Sequence, residues 1–487
     1  MKITFLIPPA VGVPPERIFG CNYGYFFQHN IFMLYPAAML EKQGYDVEFI
    51  DCPVEGKDEN WFKEFLKKDR SDAYVLYTVF LAEKTDNHIS KLIRSIRKDV
   101  NIIFIGPEPT GFPERFLKFV NDDKIFVVRG ETEITMKELI QAIEKKKEFG
   151  NILGLSWKRK GKIIHNPPRP LNENLDELPF PARHLIKKPK KYFNPKLKRK
   201  PSTVMLTSRN CWGRCIYCIP CSYSFAREIE YKKYNNWCKP KVGLRSPKNI
   251  AEEFKLIKKQ GYKSVAIIDD NFVNGKERTI EICNRIKDLD IEWGCLARAD
   301  CLQDEELLEA MAKAGCKYVD MGVESFDQKV LDYVHKDMTA GQILNAIILL
   351  KKHGIEPKIN ILFGIYPYET KQYIKWTLDI LKQLDIDFVS FGLVIPHPYT
   401  EFYKIVKKNK WFATKSGDFE PVDPYQEGTI DFPNMDHKQL KEMIRWAYKD
   451  FYLRPSYIWK RLKNTKSFNE LLGEIKTAWN LFIRKSA

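Results

Sequence analysis

No apolar run in this 487-residue chain reaches the ~18 residues that a membrane-spanning helix requires, so a soluble chain is expected. A small-residue cleavage site is also missing. Met1-Lys2 leads directly into a short apolar run that ends at Pro8-Pro9, which predicts a first strand and not a signal peptide, and hence a cytoplasmic location. No repeat recurs at a fixed period, which sets aside solenoid and propeller architectures. The net charge of +17 comes without a recognised nucleic-acid-binding motif. Much of the excess is local: it lies in Lys187-Lys188-Pro189-Lys190-Lys191, in Lys196, Lys198, Arg199 and Lys200, and in the last helices. A solvated linker explains it better than a nucleic-acid patch.

What is present is a globular composition, 44% apolar and 13% aromatic, in a chain too long for one core. Two or three domains are expected. Residues 1–150 alternate short apolar strands (Ile3–Ile7, Val47–Asp51, Ala73–Thr78, Ile102–Ile105, Ile125–Val128) with helical patterns around Tyr35–Gln43, Trp61–Lys68, Asn87–Lys98 and Thr135–Lys145. This predicts a flavodoxin-like parallel sheet whose ligand sits at the carboxyl ends of the strands, where Pro8, Pro9, Tyr77, Thr78, Gly106, Pro107, Gly130 and Glu131 fall. Residues 151–201 read as short strands and a linker that carries the basic run. From 202 to 405, six strands (Thr203–Thr207, Ser264–Asp269, Ile291–Leu296, Tyr318–Gly322, Lys358–Phe363, Phe388–Val394) alternate with helices, which predicts a partial (β/α)6 barrel with reactive groups at the strand ends. Residues 406–487 turn loop-like and then helical from His437 to Lys485, rich in aromatic and basic residues. Those helices are read first as a packed lid. They could also hold an anionic or lipid-like substrate or lie against a membrane surface.

Eleven cysteines without a secretion signal favour metal ligation or free thiols over disulfides. Four of them, Cys211, Cys215, Cys218 and Cys221, share one loop after the first barrel strand. Thiolates are the ligands of iron–sulfur clusters, and three can hold a four-iron cluster while leaving the fourth iron open. An open iron can chelate the amino and carboxylate groups of a methionine moiety. Structural zinc, with paired ligands across a longer loop, and a cluster closed by Cys221 are the competing readings.

Cys211-x-x-x-Cys215-x-x-Cys218, with Tyr217 before the last cysteine, resembles the radical SAM superfamily. The resemblance implies that Cys211, Cys215 and Cys218 bind a [4Fe–4S] cluster and that S-adenosylmethionine lies nearby. Asp269 and Asp270 stand where the family faces the methionine amino group, and Arg298 lies in the third-strand region. Glu324 and Ser325 stand where it contacts the ribose or carboxylate, and Gly364 opens the fifth-strand segment that meets the adenine. The chain departs from the family at Gly364-Ile365-Tyr366-Pro367-Tyr368-Glu369-Thr370 and at His397-Pro398-Tyr399-Thr400, which touches the substrate side. Taken alone, Asp269, Asp270 and Glu324 could equally be helix caps or salt-bridge partners.

The N-terminal sheet is similar to the cobalamin-binding domain of class B radical SAM enzymes, through Tyr35–Leu40, Gly106–Thr110 and Val128–Glu133. Tyr77, Thr78, Gly106, Gly130 and Glu131 are the contacts this implies. The Asp-x-His-x-x-Gly motif is absent: His29 and His88 are the histidines of this region and neither has that context. Read physically, such a sheet can also seat a flavin. The resemblance implies cleavage of S-adenosylmethionine to a 5′-deoxyadenosyl radical, C-methylation of an unactivated carbon and an electron donor such as a ferredoxin or flavodoxin. The alternatives are a radical rearrangement or cyclisation of a lipid or other metabolite, and a non-catalytic iron–sulfur or zinc protein that binds RNA.

Overall fold

The structure, a computed structural model, describes residues 1–9, 27–422 and 427–464. Cys21 and the expected helical stretch beyond 464 lie outside them. The chain forms two compact units. The first comprises Met1–Trp212, Pro220–Phe272 and Glu281–Trp293, and the second Gly213–Ile219, Val273–Ile280 and the chain from Gly294.

The first unit begins with the seven strands of its larger sheet: β1 (Lys2–Ile7), β2 (Asp46–Asp51), β3 (Ala73–Tyr77), β4 (Asn101–Ile105), β5 (Ile125–Val128), β6 (Leu155–Arg159) and β7 (Lys162–His165). They form one sheet in the order β2-β1-β3-β4-β5-β6-β7. The first five are parallel and the last two antiparallel. Strands β3 and β5 are buried at every position, as parallel strands covered on both faces must be, which is why they read as unbroken apolar runs. The short strands expected in the connecting region pair as a hairpin and extend this sheet, with Trp157 opposite Phe126. The helix Ile31–Glu41 starts four residues before the expected Tyr35, because the Asn30 side chain accepts from Met33 N and caps it. It is apolar all round and buried along nearly its whole length.

The same unit holds β8 (Ser202–Met205) and β11 (Ser264–Ile267), paired in parallel, and the short antiparallel pair β9 (Ser208–Arg209) and β10 (Gly243–Leu244). Between them runs the helix Ser222–Tyr234, which the sequence pattern does not suggest. It buries every residue from Tyr223 to Glu230, with Arg227, Glu228 and Glu230 among Tyr223, Phe225 and Ile229, so charged and apolar residues are buried all round and no stripe emerges.

Strand β12 (Glu292–Leu296) is divided between the units after Trp293. In the second unit β13 (Cys316–Glu324), β14 (Glu356–Phe363) and β15 (Phe388–Leu393) pair in parallel in that order. The helices Glu305–Lys313, Gln328–Tyr333, Ala340–Lys352 and Lys371–Gln383 follow the strands in alternation. The register of β13 shifts between Gly322 and Glu324, and Glu324 takes the left-handed φ of +64°. On the side away from β14, the backbone of β15 is bonded by the helix His437–Tyr452. Tyr448 Oη accepts from Phe391 N (3.2 Å) and donates to Phe391 O (3.0 Å), and Tyr452 Oη does the same at Val389 (2.8 and 2.6 Å). The tyrosines satisfy strand groups that would otherwise invite another strand.

The architecture is α/β throughout: a flavodoxin-like parallel sheet, then the βα succession of a partial (β/α)6 barrel, then helices. Among the described residues no helix is long and apolar enough to cross a membrane.

Candidate active site

In a sheet ordered 2-1-3-4-5 the connections reverse between β1 and β3, and the crevice beyond their carboxyl ends is the ligand position. Tyr77 ends β3 buried, its ring stacked on Phe32 with centroids 5.4 Å apart. Thr78 Oγ1 donates to Asp86 (2.5 Å) and Thr78 N to Ile105 O (2.9 Å). Gly106, just after β4, has φ +113°, and a Cβ there would lie 2.6 Å from Thr78 O, so only glycine lets these two strand ends close together. Gly130, after β5, has φ +68° and donates from its N to Thr110 Oγ1 (3.1 Å). Glu131 is spent inside the protein, on Arg209 (2.6 Å) and Arg227 (3.2 Å). Of the two histidines, His29 is buried with Nδ1 on Thr203 Oγ1 (2.9 Å) and Nε2 without a hydrogen-bond partner, and exposed His88 pairs with Glu59 (3.0 Å). The strand ends thus offer glycine backbone and committed side chains. This fits a flat macrocycle that brings its own metal ligands.

Further along the same unit, Asp269 fixes the start of the cysteine-bearing segment. It accepts from Thr207 N (2.7 Å), Thr207 Oγ1 (2.5 Å) and Ser208 Oγ (2.7 Å). Asp270 accepts from Cys221 N (2.5 Å), and burial pushes its carboxyl up to about 6. Cys221 Sγ lies 3.3 Å from Ser224 Oγ; burial first, and then the Asp270 charge, push this thiol well above its ordinary range.

Cys211, Cys215 and Cys218 follow β9 on the Asn210–Pro220 loop, partly exposed and outside any disulfide. Soft thiol donors on a solvent-reachable loop fit an iron–sulfur cluster. Among the described residues no three His, Cys, Asp or Glu side chains gather about one point as a single metal ion would require. In the second unit the loop closes on itself through Cys218 N to Cys215 O (3.2 Å). Tyr217 beside Cys218 is buried and meets Lys336 Nζ (3.3 Å), which in turn pairs with Glu324 Oε1 (2.9 Å). Burial opposes the charge on Lys336, and the Glu324 carboxylate more than offsets it, holding the ammonium pKa above its ordinary value. Arg298 bonds Asp300 (3.0 and 3.1 Å) and Lys336 O (2.6 Å). Ser325 Oγ sits 2.6 Å from Tyr373 Oη.

After β14, the Glu369 carboxyl accepts from Gly364 N (2.9 Å), Ile365 N and Tyr366 N (both 3.1 Å). Burial pushes Glu369 up to about 7 although these N–H groups favour its charged form.

Within the second unit, Tyr217, Glu324 and Arg298 thus meet around a residue that sequence reading passed over, Lys336. Ser325 and Gly364 instead sit in bonds of their own. Within the first, Asp269 and Asp270 hold separate ends of the cysteine segment. The signal for Lys336 is faint: a lysine between two helices reads as a surface residue.

Residues 205–381 match the family model of the Radical SAM superfamily, and residues 22–140 match that of the B12 binding domain. The chain is a radical SAM enzyme with a B12 binding domain. The cofactors of this radical SAM enzyme are a [4Fe–4S] cluster, S-adenosylmethionine and cobalamin. It is 29% identical over 464 residues to an uncharacterized methyltransferase of Pyrococcus horikoshii, covering 94% of each chain. An anaerobic magnesium-protoporphyrin IX monomethyl ester cyclase of Rubrivivax gelatinosus is 24% identical over 438 residues, covering 87% of this chain and 74% of that one. A solved radical S-adenosylmethionine methyltransferase of Kitasatospora setae, with cobalamin and a [4Fe–4S] cluster bound, superposes with a TM-score of 0.69 at 17% identity, over 93% of this chain and 89% of that one. A cobalamin-dependent S-adenosylmethionine radical enzyme, solved with aqua-cobalamin and S-adenosylmethionine, gives 0.70 at 18% identity over 98% and 70%. At these identities the two structures speak to the fold.

Proposed function

We propose that this radical SAM enzyme methylates an unactivated carbon of a small-molecule substrate, with the cluster on Cys211, Cys215 and Cys218. The observation that carries the reading is the joint presence of a three-thiol loop behind β8 and β9 and a glycine-edged switch point in a sheet ordered 2-1-3-4-5. When bound, the cluster supplies one electron that splits S-adenosylmethionine into methionine and a 5′-deoxyadenosyl radical, and the cobalamin supplies the methyl group.

The chain's own residues position and shield. Asp269 anchors Thr207 and Ser208, and so sets where the cysteine segment begins. Cys221 is left out of the ligand set: a thiol bonded to Ser224 beside the Asp270 carboxyl is a poor thiolate. Glu324 and Ser325 would face the ribose or carboxylate of S-adenosylmethionine, Asp270 would face its methionine amino group, and Arg298, from the third-strand region, would be a further contact. Glu369 already occupies the N–H groups of Gly364, Ile365 and Tyr366, so this segment is fixed before any ligand arrives. Tyr77, Thr78, Gly106, Gly130 and Glu131 would line the cobalamin edge. A ferredoxin or flavodoxin would deliver the electron, in a reducing cytoplasm that keeps the thiols out of disulfides.

The test is anaerobic reconstitution of the full chain. Reduction with dithionite should yield 5′-deoxyadenosine, bound corrin should show in the visible spectrum, and methyl-labelled S-adenosylmethionine should label the product. Cleavage without corrin or label transfer would favour the second reading, a radical cyclisation, which the likeness to the cyclase over most of both chains supports.

A further inference from the structure

We propose that Lys336 is a positioning residue for the cluster: its ammonium, fixed against the Cys215–Cys218 half of the cysteine loop, makes the cluster easier to reduce. The proposal rests on the reading of Cys211, Cys215 and Cys218 as cluster ligands.

The segment Val334-His335-Lys336-Asp337 grips the loop at three successive places. Ile216 N donates to Val334 O (3.1 Å), Lys336 Nζ meets Tyr217 Oη (3.3 Å), and the Arg214 guanidinium bonds Asp337 through Nε (3.1 Å) and Nη2 (3.2 Å). Every residue of the loop between Cys215 and Cys218 is therefore fastened to this segment directly. His335 and Asp337, on either side of Lys336, take left-handed φ values of +52° and +53°. Such conformations are unfavourable for residues with a Cβ and persist only where the surroundings enforce them. They turn the Lys336 side chain inward, where it is 6% exposed.

The partner carboxylate is held just as deliberately. Glu324 also has a left-handed φ, at the bulge where β13 loses register, and this brings its carboxylate to Lys336 (2.9 Å). Gly322 makes room for the pair: a Cβ there would lie 2.6 Å from Glu324 Oε1 and 3.0 Å from Lys336 Nζ. Arg298 fixes the backbone through Lys336 O (2.6 Å).

A buried ion pair of this kind is weak evidence for stability, because apolar residues of similar volume serve a core as well or better. Four strained or glycine positions spent on keeping an ammonium here call for another reason. The charge stands against the loop that bears the thiols: Lys336 Nζ meets Tyr217, which lies between Cys215 and Cys218, at 3.3 Å. A fixed cation in a low-dielectric setting favours whichever state of its neighbour is more negative. For a thiolate-bound cluster that is the reduced state, whose potential follows net charge and exposure.

The test is a redox titration of the full-length, anaerobically reconstituted chain, followed by electron paramagnetic resonance of the reduced cluster. It compares wild type with Lys336→Met, Lys336→Arg and Glu324→Gln, at matched iron content per chain. Lys336→Met should lower the reduced-to-oxidised ratio at a given poise about tenfold, a shift of ~59 mV for one electron. Lys336→Arg should restore most of it, and Glu324→Gln should shift the ratio the opposite way. Overlay of the Lys336→Met titration on wild type would overturn the proposal. So would equal loss of iron in all three variants, which is what a purely structural role gives. A wild-type chain that takes up no cluster would instead defeat the ligand reading beneath it.

Discussion

Each unit buries a cation among carboxylates, and the two are built differently. In the first, Arg209 spreads its fork across Glu131 and Glu133, both at 2.6 Å, and stacks over Tyr223 at 4.6 Å. Its planar guanidinium satisfies two acids at once and joins the end of the seven-stranded sheet to β9. In the second, Lys336 is a point charge with one carboxylate and one phenol, carried on a loop bent by left-handed residues. The arginine group spends all its valence on architecture. The lysine group keeps a charge beside the residues that do chemistry.

The sharpest way to break this comparison is on the chemical side. Cys218→Ser should abolish 5′-deoxyadenosine formation and most bound iron, read by chromatography and iron assay; full activity would return Cys221 to the ligand set. Next, Arg209→Met removes the guanidinium that two buried carboxylates share, leaving Glu131 with Arg227 and Glu133 with Tyr223, and should cost about 3–5 kcal/mol in urea unfolding. A loss below about 1 kcal/mol would mean that the network is not what joins these segments. Gly106→Ala forces a Cβ onto Thr78 O at a φ unsuited to alanine, and should cost roughly 2–4 kcal/mol by the same measurement.

A smaller effect belongs to Glu369. Its folded pKa, raised to about 7, exceeds the unfolded value, so the folded chain binds the extra proton. The corresponding stability is complete below the unfolded pKa of about 4.5 and is lost as pH rises through about 7. Wild type should lose roughly 2 kcal/mol more than Glu369→Gln across that window, seen as converging melting temperatures. Smallest of all, His88→Ala removes an exposed pair with Glu59 and should move stability by less than about 0.5 kcal/mol, in contrast to the buried cations.

The strands were legible because burial on both faces leaves unbroken apolar runs such as Ala73–Tyr77. The helix Ser222–Tyr234 was not, because it is buried all round over Tyr223–Glu230 with charged residues among the apolar ones, Arg227 and Glu230 having partners distant in sequence. The hairpin β6–β7 was visible as strands, but its place on the edge of the sheet was not, since pairing with β5 is a long-range choice. At the site, the cysteine spacing was plain. The use made of Glu131 and Asp269 was not: both bind the protein itself, through Arg209 and Thr207.

By itself the sequence determined the order of strands and helices, the three-thiol loop and the family, because periodicity and ligand spacing are local properties. Only the tertiary structure decided which charges are buried together, that Cys221 is a bonded thiol, and that Lys336 stands against the cysteine loop. Those depend on residues brought together by folding, where desolvation makes each partner count.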